Sequence, residues 1–387
     1  MPPFHARILN SIDQVKAEDW NALCAKRDST AYNPFVDWHF LQALEASGSV
    51  GHNDDTQTGW QVCHIWLEDM QGHGVGAAPL YLKYHSRGEY VFDQGWANAA
   101  EGAGLAYYPK LQCAIPFTPA TGPRLLAATP EIKNTLIKTM QDFCLQNQFS
   151  GVHISFCDED TQSACIEQGF LARTDRQFHF INRDYKNFDE FLASLTSRKR
   201  KKIKSERRRA CENITIKRLR GDDIKTAHWD AFFAFYIDTS ERKWGQAYLT
   251  REFFARIHDS MRDQILLMIA YDGETPIAGA LNFIGGDTLF GRQWGCNQHI
   301  PFLHFELCYY QAIEAGIELG LAKVEAGAQG EHKLARGYEP TTTYSAHFLA
   351  HAGLRDAIDN FLAQERRAVA HEISVLDTYS PFKNDTT

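Results

Sequence analysis

IWLEDMQGHGVGA at residues 65–77 and MIAYDGETPIAGA at 268–280 align without a gap at an offset of 203. Each is an apolar run, an Asp near a Gly turn, then a second apolar run, and that punctuation predicts a β-hairpin in both places. Two such matched stretches in a chain of 387 residues point to an internal duplication. Working outward, Phe92-Asp-Gln-Gly-Trp96 aligns with Phe290-Gly-Arg-Gln-Trp294 and predicts a third strand beside each hairpin. Gly169-Phe170, followed by His179-Phe180, aligns with Gly337-Tyr338, followed by His347-Phe348, at the same internal spacing. From the Trp to the later Gly the first copy runs 73 residues and the second 43, so the surplus is assigned to the Gly, Pro and aromatic stretch at 97–130.

FLHFELCYYQAIEAGIELG at 302–320 places Phe305, Cys308, Tyr309, Ala312, Gly316 and Leu319 at helical spacing, with Glu306, Glu314 and Glu318 mostly off that stripe. This predicts a core-facing helix. Short strands are expected at 322–326 (AKVEA) and at 151–156 (GVHISF), each after the helix of its copy. The fold class is therefore α+β, with two similar lobes at 1–185 and 186–387, each a mixed, mostly antiparallel sheet flanked by helices. A basic helix at 195–212 opens the second lobe, its start anchored by Phe188, Phe191, Leu192 and Leu195. Further helices are expected at 229–244 and 249–261, and a charged surface helix from 354 to about 373.

With 44% hydrophobic and 23% charged residues the chain is an ordinary folded protein, outside the disordered and fibrous classes. Its net charge of −8 hides a contrast: RKRKKIKSERRR at 198–209 carries nine bases and one acid, so the remaining chain is strongly acidic. Such a run calls for an anionic partner or for pairing with acids of the body. Arg198, Lys199, Lys202 and Arg209 are the candidates for holding phosphate. Nine cysteines without a C-x-x-C pair suit reduced thiols. No metal is expected, and without a G-x-S-x-G elbow a serine hydrolase is disfavoured. The start lacks an apolar leader and no long uncharged apolar run follows, which predicts a cytoplasmic protein without a transmembrane segment.

Four segments carry a family resemblance: GEYVFDQGWA at 88–97, YYPKLQCAIPFTPATGPRLL at 107–126, SRKRKKIKSERRR at 197–209 and EAGAQGEHKLARGYEP at 325–340. Together they resemble FemAB-like proteins of the GNAT superfamily, predicted bacterial N-acyltransferases named for peptidoglycan biosynthesis or recognition. The resemblance runs from about Arg7 to Phe382. It implies tandem GNAT lobes and amide-forming transfer to a small-molecule or peptidyl amine, with an aminoacyl-tRNA or an acyl-CoA as donor and tRNA or another phosphate-bearing ligand as a partner. Two features depart from the pattern. The turn at 295–301 (GCNQHIP) lacks the Q/R-x-x-G-x-G/A spacing that holds a CoA pyrophosphate. Where Fem ligases carry aromatic-Lys-x-Gly-aromatic-Gly, this chain has HKLARGYE at 332–339, so Lys333 or Arg336 fills the lysine's place.

Acyl transfer to an amine needs a group to accept the amine's proton and another to stabilise the oxyanion. The segment 325–338 offers both. Gly327 and Gly330 permit a tight turn after the strand, exposing Gln329, Glu331, His332 and Lys333 at the start of the next helix. Glu325, Glu331, His332 and Lys333 are the catalytic candidates: Glu331 or His332 as proton acceptor, Lys333 or Arg336 as cation. Glu331 also fits a first-turn acid that offsets a helix dipole, and His332 an ordinary packed or surface histidine. Substrate contacts are assigned to Arg292, Gln329, Arg336, Tyr338, Lys110, Arg124, Tyr108 and Asp93, in a cleft between the lobes. Two other readings stay open: a non-catalytic binder of tRNA or a cell-wall precursor, and an acyl-CoA-dependent small-molecule acyltransferase.

Overall fold

The computed structural model describes residues 4–51, 58–244, 247–327 and 330–383. The chain divides into two units. One takes the residues up to Lys26, Phe35–Asp175 and Thr342–His371; the other takes Arg27–Pro34, Arg176–Thr341 and the residues from Glu372 onward. The division near 185 expected from the duplication thus moves to 175, and a late segment returns to the first unit. The reason is strand pairing: residues 344–349 lie antiparallel against residues 151–157, well inside the first unit.

The first unit contains β1 (His5–Leu9), α1 (Ala17–Ala22), α2 (Trp38–Ala46), β2 (Trp60–Val62), β3 (His64–Glu68), β4 (Gly74–Ala78), β5 (Leu80–Lys83), α3 (Gln94–Gly102), β6 (Lys110–Cys113), β7 (Leu126–Ala127), α4 (Pro130–Gln146), β8 (Gly151–Cys157) and α5 (Glu159–Glu167). The hairpin read at 65–77 is β3–β4, antiparallel with Ile65 opposite Ala78. It lies in the order β1-β3-β4-β7, while β2, β5, β6 and β8 line up beside one another with only β6–β8 parallel. Helix α4 shows why these segments fold as they do. Thr129 caps it by accepting the Ile132 amide, Pro130 sits at its first turn, and Ile132, Leu136, Ile137, Met140 and Cys144 form its buried face. That face packs on Ile65, Leu67, Leu80, Leu111, Val152 and Ile154, each such side chain stabilising the unit by ~1.5–3 kcal/mol when fully buried.

Two expectations fail here. Residues 92–96 are no strand: Asp93 occupies the N-cap position of α3, whose alanines favour helix, and the strand beside β4 is β7. The stretch 97–130 is likewise no simple insertion, since Lys110–Cys113 forms β6 between β5 and β8.

Strand β9 (Leu171–Ile181) leads into the second unit, followed by α6 (Phe188–Ser194), α7 (Ser197–Ala210), β10 (Ile214–Arg220), α8 (Thr226–Trp244), α9 (Arg251–Met261), β11 (Ile265–Asp272), β12 (Thr275–Ile284) and β13 (Thr288–Cys296). Then come α10 (residues 303–318), β14 (Lys323–Glu325), a 3₁₀ turn (Glu331–Arg336), β15 (Glu339–Leu349), which passes into the first unit at Thr342, and α11 (Ala352–Asp377), which belongs to the first unit as far as His371. The second hairpin, β11–β12, belongs to the order β10-β11-β12-β13-β14-β9, in which only β13–β14 is parallel. Helix α10 contains a π turn at Glu306–Tyr310. The extra residue rotates the buried stripe, so Glu306, expected off it, is fully buried, and Cys308, expected on it, is only partly so. The nine cysteines are free thiols, five of them buried.

The matched glycines keep their equivalence, Gly169 at φ +84° and Gly337 at φ +90°, each just before an eleven-residue strand. A Cβ on Gly169 would meet nothing within 4 Å, whereas one on Gly337 would lie 2.6 Å from the Phe191 ring. Gly337→Ala is therefore expected to lose ~1–3 kcal/mol more than the backbone strain that both replacements share. Denaturant midpoints of the two variants measure this, and equal midpoints would contradict the packing described.

Candidate active site

The 3₁₀ turn Glu331–Arg336 is bracketed by left-handed glycines, Gly330 at φ +113° and Gly337 at φ +90°. It brings together His332, Lys333 and Arg336 against the π turn of α10. Lys333, expected to be exposed at a helix start, is only 2% exposed, and its Nζ donates to the Gly327 carbonyl at 2.7 Å. Burial lowers its pKa to about 8, against a weaker opposing effect from Cys308. His332 is solvent-exposed, with Nε2 2.9 Å from the Tyr309 hydroxyl. Desolvation, then Arg336 and Lys333, hold its pKa below 6.5, so the imidazole is neutral at pH 7. The turn thus offers a neutral proton acceptor beside a cation close to its titration point.

Arg336 is buried as well. Its guanidinium lies 3.6 Å from the Phe305 ring centre, Nη1 donates to the His332 carbonyl at 2.7 Å, and Nη2 reaches both Glu206 oxygens at 3.1 and 2.9 Å. Tyr338, expected at the substrate, is fully buried, its hydroxyl 3.5 Å from the Tyr309 carbonyl. Packing accounts for both positions. Gln329 lies outside the described residues, as does the side chain of Glu331.

The basic run forms α7, with Ile203, Glu206 and Ala210 facing inward. Arg207 also turns in, to Glu306 and Glu314 at 2.9 and 2.8 Å, stacked over Phe188. Arg198, Lys202 and Arg209 remain exposed, Arg209 with its guanidinium 4.7 Å from the Phe302 ring. Lys199 is half-buried, its pKa lowered by desolvation and by Lys202, Arg198 and Arg336.

Strands β13 and β14 pair only from Thr288 opposite Lys323 to Phe290 opposite Glu325. Past that point β13 continues alone beside β12, with a bulge that sets Arg292 and Gln293 against the single residue Leu281. Bulges re-aim side chains and are common beside functional sites. Glu325 ends β14, 3.9 Å from His179 Nε2 and 3.6 Å from Lys323 Nζ. Arg292, Glu325 and the Lys333 turn thus belong to one unit.

Lys110, Asp93 and Tyr108 come together in the other unit. On adjacent strands Lys83 lies opposite Lys110, and neither ammonium is exposed. Lys110 donates to Asp93, to Glu89 at 2.8 Å and to Ser86 at 3.0 Å; Tyr107 donates to Asp93 at 2.6 Å, and Ser86 meets the Tyr108 hydroxyl at 2.7 Å. Desolvation raises the Glu89 pKa; at Asp93 desolvation is again the largest effect, but the Lys110 and His153 charges together with hydrogen bonds from Lys110 and Ser86 outweigh it and the pKa is lowered. Lys83, its pKa depressed by burial, sits 3.6 Å over Trp60. Arg124, expected to grip a ligand, donates to the carbonyls of Ser155 and Ala120 at 2.9 and 2.6 Å and so ties down its own loop. His153 and His347 share a 2.8 Å contact between Nδ1 atoms. His351, four residues on, accepts the Leu354 amide at the start of α11. Among the described residues no group of three or more His, Cys, Asp or Glu could hold a metal ion, and no helix is long and apolar enough to cross a membrane.

Sequence reading missed Glu206, Tyr310, Lys83 and Glu89. Glu206 carried a signal: it is the one acid among nine bases and shares the spacing of Ile203 and Ala210.

Residues 11–384 match the FemAB-like family, described as peptidoglycan biosynthesis/recognition, and the chain belongs to that family. No curated protein matches it. Among solved structures, FemX aligns with a TM-score of 0.53 at 13% identity, over 89% of this chain and 98% of its own. The C-terminal domain of a putative lysylphosphatidylglycerol synthetase from Agrobacterium fabrum aligns at 0.53 and 8% identity, over 90% and 95%. A conserved protein of unknown function from Bacteroides thetaiotaomicron aligns at 0.50 and 10% identity, over 89% and 99%. At such identities the likeness is one of fold.

Proposed function

We propose that the chain is an N-acyltransferase that joins an acyl or aminoacyl group to an amine, with the acceptor a peptidoglycan precursor or a related metabolite. The observation that carries this reading is the pairing, on one 3₁₀ turn of a FemAB-family chain, of a buried lysine with its pKa at about 8 and a neutral histidine. The amine nitrogen attacks the donor carbonyl, forming a C–N bond. His332 takes the amine proton, directly or through Tyr309, and the Lys333 ammonium stabilises the oxyanion. Collapse breaks the bond to the leaving oxygen or sulfur, which receives the proton from His332. No covalent enzyme intermediate is required. Arg292 and Glu325, where β13 and β14 part, are assigned to the substrate.

The outward cations of α7, Arg198, Lys202 and Arg209, suit a phosphate-bearing donor such as an aminoacyl-tRNA. Transfer measured with aminoacyl-tRNA and with acyl-CoA tests this. Replacing the three by Gln is expected to raise KM for the polyanionic donor and to flatten its salt dependence, with kcat little changed. An unchanged KM, or a preference for acyl-CoA, would overturn the assignment of the donor.

A further inference from the structure

We propose that Glu206 is a positioning residue for the Lys333 turn: the one acid of the basic helix locks Arg336 and so fixes where the Lys333 ammonium stands. The catalytic consequence rests on the reading above; the positioning itself rests on geometry alone.

Glu206 faces away from the cations around it and is 4% exposed. Its carboxylate receives both Arg336 contacts and, at 2.5 Å, the Tyr310 hydroxyl, while Lys202 Nζ approaches to 3.8 Å. Arg336 holds the turn at two further points, by donating to the His332 carbonyl and by stacking on Phe305. At its two ends the turn is closed by short-range backbone bonds, Lys333 N to the Gly330 carbonyl at 3.1 Å, Gly337 N to that of Leu334 at 3.2 Å and Tyr338 N to that of Lys333 at 3.3 Å. Left-handed glycines at both ends leave it free to pivot unless something outside holds it. The Glu206–Arg336 pair, low in dielectric and with planar geometry on the arginine side, is that hold. Losing the acid would leave a buried guanidinium without its counter-charge, which favours a turn that swings toward water.

The test measures Lys333 directly in the folded full-length chain, by the pH dependence of its labelling with a small amine-reactive reagent, read by peptide mass spectrometry. Cys308 of α10 is the charged partner that acts on the amine, and the charge of Lys333 is felt in turn by His332 of its own turn and by His179 of β9. Glu206→Ala is expected to raise the labelling midpoint from about 8 toward the ordinary 10.5. In transfer assays it should lower kcat ~10–100-fold, with a smaller change in KM. Glu206→Gln, which keeps the shape and part of the hydrogen bonding, should fall between. A variant that melts earlier yet keeps its midpoint near 8 would show a merely structural role and overturn the proposal. Should Glu206→Ala not fold, Arg336→Lys, which retains the charge but not the stacking or the bond to His332, is expected to raise the midpoint likewise, and an unmoved midpoint there has the same meaning. Labelling needs no acyl donor, so full transfer by Lys333→Met would end the proposed chemistry while leaving the positioning intact.

Discussion

Lys333→Met is expected to slow amide formation by ~10²–10³-fold, the usual loss when one fixed oxyanion donor is removed. Methionine preserves length and fills the buried site, so the fold survives and the change falls on kcat. The pH dependence separates this from a packing effect. Burial places the Lys333 titration at about 8, and the protonated form is the useful one, so the wild-type rate should fall as pH rises through about 8. On the acid side the rate should rise as His332, held below 6.5, gives up its proton. Lys333→Met should lose the basic limb and keep the acid limb. Initial rates across pH 5–10, a span of ~5 units chosen around the ordinary histidine and lysine values, check this; a basic limb that persists in the variant would assign it to another group.

Lys110→Met is expected to be the most destabilising single replacement in the first unit. It leaves Asp93 and Glu89 buried without the ammonium that both contact, and breaking a buried pair from one side costs ~3–5 kcal/mol. Two carboxylates then share one dry site, so the loss should be largest at neutral pH and shrink in acid as Glu89, whose pKa burial already raises, takes up a proton. Chemical denaturation at pH 7 and at acid pH measures this. A loss under ~1 kcal/mol, the scale of a solvent-exposed pair, would mean that the cluster is not sealed from water.

The hairpins were legible because Gly273 sits between two apolar runs and turn chemistry is local. The segment 92–96 misled because it shares an aromatic, a Gly and a Trp with 290–294, yet Ala97, Ala99 and Ala100 commit it to α3. Helix α10 was legible in extent but not in face, since a π turn breaks the 3.6-residue period on which the stripe was counted. At the candidate site the residues were in view and their environment was not. Nothing local in HKLARG says that Lys333 and Arg336 are buried, because the residues that bury them, Phe305, Tyr309 and Glu206, come from α10 and α7. Lys83 escaped notice for the same reason: its tie to Lys110 is a strand register, visible only once β5 and β6 are paired.

The most direct measurement is the mass of the product formed when purified protein is incubated with a peptidoglycan precursor and, separately, with aminoacyl-tRNA and acyl-CoA. An acceptor heavier by one acyl or aminoacyl group, bonded through its amine and lost with Lys333→Met, is the predicted result. An unmodified acceptor with every donor, from protein that binds the precursor, would contradict it and leave a binding protein in its place.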